Sequence, residues 1–500
     1  MSLFNAILSL SFTRRHRQIK QFKEEPIVVQ EKVLKQLIRK AANTEWGKLY
    51  NYQDIKTVAE FQKKVPLQKY EDLWPYIEKM QAGESDILWP GEVKRFAKSS
   101  GTTSAKSKFI PVSEESLKQC HYKGGRDMIA FYKKSRRNSR LFLGKTLSLG
   151  GTQQKDNNNI YCGDLSAILM SNLPLLFQYV RTPNLDTALL GEWEEKIRRI
   201  IDESKDQNIT GLAGVPSWML VLLQNLLKET GKKNILEVWP NLELFIHGGI
   251  SFDPYVEQFK KLIPSGKMNY FEVYNASEGF FAMNERPEDK DMLLMLDYGI
   301  FYELIPSTEI DKENPRVISL EKAQLNKNYA LVISTNGGLW RYQIGDTIIF
   351  TSLRPFRIKI SGRTKHFINA FGEELMVGNT DKALEITCAK TGADIKDYTA
   401  APVFMAEGKK GSHQWLIEFN KEPEDFIYFC FLLDKTLQSL NSDYEAKRYK
   451  NITLDTPDII KVRSGLFYDW MKQKNKLGGQ NKVPRLANNR EYIDEMLKLL

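Results

Sequence analysis

Hydrophobic positions recur with two different periods along the first 360 residues, and the two periods alternate. Apolar residues three and four positions apart, which are typical of an amphipathic helix, occur at residues 27–43, 113–132, 185–203 and 216–229. Short apolar runs typical of strands occur at residues 141–149, 242–246, 270–274, 301–305, 330–334 and 347–350. Alternation of strands with helices predicts an α/β fold with layered sheets.

Two changes in this pattern divide the chain. Strands dominate residues 293–360, which predicts a β-rich subregion appended to the α/β layers. A shorter α+β block follows the Ser-Gly-Arg-Thr-Lys sequence at residues 361–365. We therefore predict a large N-terminal domain, residues 1–362, and a smaller C-terminal cap domain, residues 363–500, with a hinge near residues 363–365.

The cap domain has its own alternation of periods. Helices are predicted at residues 379–390, 423–440 and 465–474, and strands at residues 398–405, 414–419 and 459–462, with a turn at residues 409–411. Residues 474–489 are rich in Lys, Asn and Gly and are predicted to form a mobile loop before a final short helix.

Composition narrows the class of protein. The chain has 500 residues, of which 42% are hydrophobic and 27% charged, an ordinary balance for a globular protein with more than one domain. The formal net charge is +10, which suits an anionic small substrate or a nucleic acid. The densest basic run, residues 133–140, is interpreted as a solvated surface patch, and a nucleic-acid-binding protein stays as an alternative.

The cysteines and the apolar segments bear on location. Cysteines stand at positions 120, 162, 388 and 430 without a C-x-x-C pair, so we expect thiols in a reducing, cytoplasmic compartment. No apolar run is long enough for a transmembrane helix. The apolar N-terminal stretch precedes Arg14 and Arg15, the reverse of a secretory signal, and is expected to form a capping helix, with a membrane-touching helix as the alternative.

A cluster of small hydroxyl residues is the first candidate for chemistry. Ser99, Ser100, Gly101, Thr102 and Thr103 are consecutive, and lysines follow at 106 and 108. Backbone N–H groups and hydroxyls around a glycine form a cradle for an anion, and a lysine adds charge. This loop is predicted to bind phosphate; a solvated Ser/Thr loop is the alternative.

Two further motifs each follow an apolar run. In the first, Tyr274 can stack on a flat heterocycle, and Glu278 can hold a Mg²⁺ that bridges phosphates. In the second, Asp346 follows Gly345 at an expected strand boundary and can accept hydrogen bonds from a ribose diol. An ordinary turn is the alternative for either motif alone.

The remaining candidates lie at a strand end, at the domain joint and near the C-terminus. The His-Gly-Gly sequence at residues 247–249 would let a ligand approach the backbone closely. Arg363 and Lys365 lie at the proposed hinge, and Lys482 lies on a glycine-flexed loop as a movable cation. A Walker A match at residues 144–146 fails because Ser139 replaces its first glycine, and the chain has neither G-x-S-x-G nor H-E-x-x-H.

Taken in order, these motifs resemble those of the adenylate-forming superfamily of acyl-activating enzymes. Within it, the chain is similar to the auxin-responsive Gretchen Hagen family of acyl acid–amido synthetases, over about residues 95–485. The matching sequences are Ser-Ser-Gly-Thr-Thr at 99–103 with Lys-Phe-Ile-Pro at 108–111, Tyr-x-x-Ser-Glu at 274–278, Trp-Arg-Tyr-Gln-Ile-Gly-Asp at 340–346, Gly-Arg-x-Lys at 362–365 and Gln-Asn-Lys-Val-Pro-Arg at 480–485.

Some positions depart from the superfamily pattern. Ser104 replaces a glycine, and Ser107 changes the usual spacing, so that either Lys106 or Lys108 can be the phosphate-binding lysine. Gln480 and Asn481 precede the C-terminal lysine where the wider superfamily has glycine. This last departure favours the amido-synthetase branch.

The resemblance implies roles for the matched residues. The phosphate loop with Lys108 would bind the ATP phosphates, Tyr274 would stack on adenine beside Ser277, and Asp346 would bind the ribose. Glu278 would bind Mg²⁺ and take part in catalysis, Arg363 would lie near ribose or phosphate, Lys365 would be the hinge, and Lys482 would be the mobile catalytic lysine.

The reaction implied is ATP-dependent adenylation of a carboxylic acid followed by transfer of the acyl group to an amino acid. An acid pocket is expected among residues 149–161, 212–220 and 247–251. The expected partners are these small molecules. We expect the chain to bind neither nucleic acid nor a membrane and to be a monomer. An acyl-CoA ligase of the same fold is the first alternative.

Overall fold

A twelve-stranded mixed sheet forms the centre of the N-terminal part of the chain. The computed structural model describes residues 15–99, 108–155, 159–249, 252–310, 312–363, 367–368, 370, 373, 375–404, 411–441, 444–445, 448, 454–474, 476–477, 482–487 and 489–500. The capping helix predicted before residue 13 and most of the turn predicted at 409–411 lie outside these ranges. No helix within them is long and apolar enough to cross a membrane.

The strands are numbered here in chain order. They are β1 (Arg95–Ser99), β2 (Lys108–Pro111), β3 (Lys145–Ser148), β4 (Gln153–Lys155), β5 (Tyr161–Gly163), β6 (Arg181–Thr182), β7 (Ile209–Gly214), β8 (Leu244–Gly248), β9 (Asn269–Ala276), β10 (Gly279–Met283), β11 (Met292–Leu294), β12 (Ile300–Pro306), β13 (Ile318–Ser319), β14 (Asn328–Thr335), β15 (Tyr342–Leu353), β16 (Phe356–Arg363), β17 (Phe367–Ile368), β18 (Leu375–Met376), β19 (Asp394–Val403), β20 (Ser412–Lys421) and β21 (Asp458–Val462).

The α-helices lie at Pro26–Ala41, Glu45–Leu49, Val58–Lys64, Tyr70–Gln81, Glu114–Ser116, Tyr122–Ser135, Leu165–Ser171, Leu175–Gln178, Leu185–Ala188, Trp193–Ser204, Pro216–Thr230, Val256–Leu262, Val377–Thr391, Phe426–Leu440, Leu466–Gln473 and Glu491–Leu497. A π-helical turn, Leu117–His121, lies within the helix predicted at 113–132. The stretch predicted at 185–203 forms two helices instead of one. The Pro216–Thr230 helix begins with proline at its first position and ends at Gly231, whose φ of 64° is left-handed, a common arrangement at helix ends.

The large sheet has a parallel half and an antiparallel half. Its order is β13-β12-β14-β15-β16-β11-β10-β9-β8-β7-β3-β6, and the pairs from β9 to β6 are parallel. The β-rich region predicted at 293–360 is present, and its strands continue the same sheet through β10 and β11. Strands β2-β1-β5-β4 form a smaller sheet beside it.

The C-terminal part is built on the three-stranded sheet β19-β20-β21. Its inner face packs under the helices Val377–Thr391 and Phe426–Leu440 around buried residues such as Trp415 and Phe429. The helices Leu466–Gln473 and Glu491–Leu497 instead share a hydrophobic cluster with the helices beside the parallel half of the large sheet. Burial of that shared cluster holds the two parts together.

Candidate functional site

The carboxyl ends of β3, β7 and β8 lie side by side in the parallel half of the sheet. The amide of Leu149, just past β3, donates a 2.9 Å hydrogen bond to Ala213 O, and Gly214 is paired with His247 in the next strand. Parts of the three stretches expected to line an acid pocket, at residues 149, 212–214 and 247–249, thus share one edge, whereas residues 153–155 and 161 lie in the smaller sheet. Ligands of open α/β sheets bind at this edge, outside the carboxyl ends of the strands.

A buried lysine fixes the first of these loops. Lys196 is 2% exposed, and its ammonium donates to Gly150 O at 2.8 Å and to Gly151 O at 3.2 Å. Burial lowers the pKa of Lys196 to about 8, against the opposing charge of Asp164. The sequence pattern did not single out Lys196, because its partners are backbone carbonyls 45 residues away.

The glycine pair after His247 meets the C-terminal lysine. A Cβ on Gly248 would lie 2.2 Å from Val273 O, so the backbones of β8 and β9 approach more closely than a side chain would allow. Gly249 has a φ of 83°, and the Nζ of Lys482 lies 3.4 Å from where its Cβ would be. Lys482 therefore reaches from the C-terminal part to the carboxyl end of β8.

His247 lies just below this glycine pair and is buried and neutral. Its ring stacks on Phe252 at 4.2 Å between centroids, and burial lowers its pKa to about 3. Its Nδ1 has no hydrogen-bond partner within the described part of the chain. At physiological pH the imidazole therefore contributes shape and a polar nitrogen rather than charge.

Tyr274 and Asp346, predicted from two separate motifs, are in direct contact. The Tyr274 hydroxyl donates a 2.5 Å hydrogen bond to Asp346 Oδ2, and both residues are 5% exposed. Asp346 lies inside β15 rather than at the predicted strand boundary, after Gly345 with a φ of 87°. The pair places an aromatic ring beside a carboxylate.

Ser277 and Glu278 form the two-residue turn between β9 and β10, and Gly279 pairs with Ala276 to close it. The Ser277 hydroxyl is buried and has no hydrogen-bond partner among the residues described. Such an orphaned polar atom beside a carboxylate fits a polar ligand at this turn. The described residues contain no cluster of three or more His, Cys, Asp or Glu that would hold a metal by themselves.

Lys108 lies against Tyr342, the first residue of β15 and four residues before Asp346. Its Nζ is 3.4 Å from the Tyr342 hydroxyl and 5.4 Å from the centroid of the Tyr70 ring. Burial raises the pKa of Tyr342 well above its ordinary value, and the nearby charge of Glu278 raises it further. Tyr342 thus contacts Lys108 and is affected by the charge of Glu278, although its motif alone assigns it no role.

The phosphate loop is framed by a hairpin. Ser99 ends β1 and pairs with Lys108, which begins β2. The loop residues Ser100, Gly101, Thr102 and Thr103, together with Lys106, lie outside the described residues. The predicted phosphate loop is therefore the connection of this hairpin, and its two ends are held side by side.

The Trp-Arg-Tyr motif before Asp346 is structural in its first two positions. Trp340 donates from Nε1 to Leu88 O at 3.0 Å. Arg341 forms a buried bidentate ion pair with Glu303, at 3.0 Å from each carboxylate oxygen, and has a φ of 43°. These contacts fix the strand that presents Tyr342 and Asp346.

The proposed hinge residues are only partly described. The backbone of Arg363, the last residue of β16, is opposite Asp346 in the ladder. Lys365 lies outside the described residues. The proximity of the Arg363 side chain to ribose or phosphate stays a prediction.

Protein-family models match most of the chain. The model for the GH3 family N-terminal domain matches residues 15–268, that for the central domain matches residues 293–363, and that for the C-terminal domain matches residues 378–491. The fold and the ordered motifs define an adenylate-forming ligase. The chain belongs to the GH3 family.

Curated relatives and solved structures agree with this assignment. The indole-3-acetic acid-amido synthetase GH3.4 of Arabidopsis thaliana is 23% identical over 96% of this chain and 92% of its own length. The 4-substituted benzoates-glutamate ligase GH3.12 of the same plant is 22% identical over 94% of each chain. The solved GH3.15 acyl acid amido synthetase superposes with a TM-score of 0.78 at 18% identity, over 99% of this chain and 96% of that one.

A more distant structure shares the fold alone. A 2-hydroxyisobutyryl-CoA ligase in the postadenylation state superposes with a TM-score of 0.61 at 12% identity, over 94% of this chain and 91% of that one. The predicted α/β fold, the family and the class of ligase are thus confirmed. The roles of individual residues and the domain boundary at 362 and 363 stay predictions.

Proposed function

We propose that this chain activates a carboxylic acid with ATP and transfers the acyl group to the amino group of an amino acid. The observation that carries the proposal is that Lys482 from the C-terminal part reaches the β8 end beside the Tyr274–Asp346 pair. Membership of the GH3 family supports the same reaction, since its named relatives are amido synthetases and an amino-acid ligase.

In the first half-reaction, a carboxylate oxygen of the acid attacks the α-phosphorus of ATP. The new C–O–P bond forms as the bond between the α-phosphorus and the bridging oxygen breaks, and pyrophosphate leaves. Tyr274 would hold the adenine by its ring and Asp346 the ribose hydroxyls. Lys108 and Lys482 would stabilise the negative charge on the phosphates as it shifts towards the leaving group.

A Mg²⁺ ion fits at Glu278, because carboxylate oxygens are preferred ligands and the neighbouring Ser277 hydroxyl is buried without a partner. Bound there, Mg²⁺ would neutralise phosphate charge. Since one glutamate does not make a complete site, nucleotide oxygens and water would supply the other ligands. Glu278 would thus orient the nucleotide through the Mg²⁺ ion that it holds.

In the second half-reaction, a neutral amine attacks the acyl carbon of the acyl-adenylate. The C–N bond forms, the bond from the acyl carbon to the AMP oxygen breaks, and the nitrogen loses a proton to water. We propose that the C-terminal part rotates about a hinge at residues 363–365 between the two halves, so that one site serves both. Lys482 would leave the site in that rotation.

We further propose that the acid lies at the shared edge formed by parts of the stretches 149–161, 212–220 and 247–251.

Cys120, Cys388 and Cys430 are free thiols, which a reducing compartment maintains. This agrees with the cytoplasmic location that we propose for the chain, together with a monomeric state.

The test is acid-dependent exchange of labelled pyrophosphate into ATP with purified protein, Mg²⁺ and a panel of carboxylic acids. Products are then identified by mass spectrometry with amino acids and coenzyme A supplied together. We expect exchange with at least one acid and an N-acyl amino acid as product. ATP binding without exchange for any acid would contradict adenylation, and a thioester as the sole product would make the chain an acyl-CoA ligase.

A further inference from the structure

Two short segments of the chain meet at two points beside the proposed site. Lys482 Nζ lies 3.4 Å from the Cβ position of Gly249, at the end of β8. Three residues later, Arg485 Nη2 donates a 2.8 Å hydrogen bond to the hydroxyl of Tyr255. Tyr255 ends the 3₁₀ turn Asp253–Tyr255, six residues after Gly249. The segment that carries the lysine is therefore tied to the segment that the lysine approaches.

The backbone around Arg485 is held by its own domain. Residues 484–487 run beside β19 as an added edge: Ala400 N donates to Arg485 O at 2.9 Å, and Ala487 N donates to Ala400 O at 3.2 Å. The hydroxyl of Thr399 also donates to Pro484 O at 2.5 Å. Arg485 is thus a fixed point of the C-terminal part.

The guanidinium of Arg485 is held equally firmly. It forms an ion pair with Asp397, donates to Tyr398 O at 3.2 Å, and its Cζ lies 4.7 Å from the centroid of the Tyr398 ring. Burial opposes its charge, but Asp397 and the neighbouring tyrosines raise the pKa of Arg485 well above its ordinary value. One of its nitrogens is directed out of this cluster, onto Tyr255.

The N-terminal partner is fixed as well. Tyr255 is 1% exposed and belongs to the hydrophobic cluster beside β8. Burial raises the pKa of Tyr255 to about 12, so its neutral hydroxyl accepts the hydrogen bond from a charged donor. Hydrogen bonds from charged donors are shorter and stronger than those between neutral groups.

We propose that the Arg485–Tyr255 contact is a latch that positions the Lys482 ammonium at Gly249 for adenylation. Because Arg485 is fixed within the C-terminal part, its hydrogen bond to Tyr255 fixes that part relative to Gly249. Three residues span at most about 10 Å, so the Lys482 backbone is thereby confined to a small volume near Gly249. Arg485 and Tyr255 are therefore positioning residues that act through Lys482. The functional consequence rests on the proposed adenylation, whereas the confinement of Lys482 does not.

The first test measures that confinement directly. Tyr255→Phe removes the hydroxyl and leaves the Arg485–Asp397 ion pair intact. A substitution of Arg485 is less suitable, because it would leave the partly buried Asp397 without its ion-pair partner. The control is Tyr270→Phe, because the buried Tyr270 hydroxyl has no partner among the described residues. Labelling of Lys482 by an amine-reactive acetylating reagent is followed by peptide mass spectrometry on full-length protein without ligands.

We expect Lys482 in the Tyr255→Phe variant to be labelled several-fold faster than in wild type or Tyr270→Phe, with other lysines unchanged. An equal rate in all three proteins would overturn the latch. This result does not depend on activity, so a protein that shows no pyrophosphate exchange would contradict the proposed function while the labelling still decides on the latch.

The second test links the latch to the reaction. Tyr255→Phe should lower the kcat of pyrophosphate exchange about 10-fold, which is about 1.4 kcal/mol, with little change in KM for ATP or acid. Amide formation from a supplied acyl-adenylate should be unchanged. In a Lys482→Ala background the same substitution should have no further effect on exchange. Additive losses would show that Tyr255 acts independently of Lys482 and would overturn the proposal.

Discussion

The Tyr274 hydroxyl donates a 2.5 Å hydrogen bond to Asp346 Oδ2, joining two strands that are not neighbours in the sheet. Strand β9 carries the tyrosine and β15 the aspartate, with β10, β11 and β16 between them. The contact fixes the orientation of the carboxylate, so its second oxygen would face the ribose hydroxyls of a bound nucleotide in a defined direction. It also fixes the plane of the Tyr274 ring, on which adenine would stack.

Tyr274→Phe tests this coupling, because it keeps the ring and removes the hydroxyl. A net hydrogen bond to a charged group contributes about 1.5–3 kcal/mol, and part of that should appear as about 10-fold weaker ATP binding. Direct ATP titration and the KM of pyrophosphate exchange measure the effect. Tyr329→Phe, whose hydroxyl accepts from Gln324 N elsewhere in the sheet, is the control and should bind ATP as wild type does.

Asp346→Ala should weaken ATP binding or adenylation by about 1.5–3 kcal/mol, since a charged acceptor for the ribose is lost. The Tyr274→Phe substitution should then cost little more in the Asp346→Ala background, because the hydroxyl acts on the nucleotide through this carboxylate. ATP affinity of both single variants and the double variant gives the coupling. Wild-type affinity in Asp346→Ala would remove Asp346 from the nucleotide site.

The two lysines of the phosphate loop are distinguishable by matched substitutions. Lys108 Nζ lies 3.4 Å from the Tyr342 hydroxyl, a group that the charge of Glu278 also affects, whereas the sequence alone left Lys106 equally eligible. Lys108→Met should slow pyrophosphate exchange about 10- to 100-fold by loss of one aligned charge, and Lys106→Met should have the smaller effect. The reverse order would assign phosphate binding to Lys106.

Local hydrophobic patterns predicted many helices and strands well, because each element depends on the spacing of residues close together in the sequence. The strand at 270–274 and the helix at 216–229 were both found within a few residues. The continuity of the large sheet was not predictable, because the pairing of β11 with both β10 and β16 depends on contacts far apart in sequence. Periodicity contains no information about strand order.

In the candidate site, too, local motifs were predictable from the sequence and long-range contacts were not. Tyr274 and Asp346 were each recognisable from a local motif, but their hydrogen bond joins positions 72 residues apart. Arg485 is the last residue of the Gln-Asn-Lys-Val-Pro-Arg motif, but the motif assigned it no role. Tyr255 belongs to no motif. Their contact spans 230 residues, and only the folded chain brings them together.

The role of Lys482 separates the two half-reactions. A single preorganised cation near transferring phosphate should contribute about 10²–10³-fold in rate, so Lys482→Ala should slow acyl-adenylate formation by that factor. Amide formation from a supplied acyl-adenylate should be largely intact, because the proposed rotation would have moved the lysine out of the site by then. Equal loss in both assays would mean that Lys482 is structural or that the C-terminal part does not rotate.

Glu272, two residues before Tyr274 and opposite His247 in the ladder, makes stability depend on pH. Burial first, and then the charge of Asp253, raise the pKa of Glu272 from 4.5 to about 7, against an opposing effect of Lys359. The folded protein therefore binds more protons than the unfolded chain. The contribution of Glu272 to the free energy of unfolding is fully present below about pH 4.5 and falls as pH rises to about 7.

Glu272→Gln removes the ionisable carboxyl and with it the loss of unfolding free energy as pH rises. The variant should match wild type near pH 4.5 and become more stable than wild type by up to about 3 kcal/mol above pH 7, since one pKa unit corresponds to about 1.4 kcal/mol. Urea unfolding at several pH values measures the difference. Glu424→Gln, at an exposed position of the C-terminal part, is the control substitution and is measured in the same way. A Glu272→Gln difference that stays constant from pH 4.5 to 8 would show that this carboxyl has the same pKa in the folded and unfolded chains.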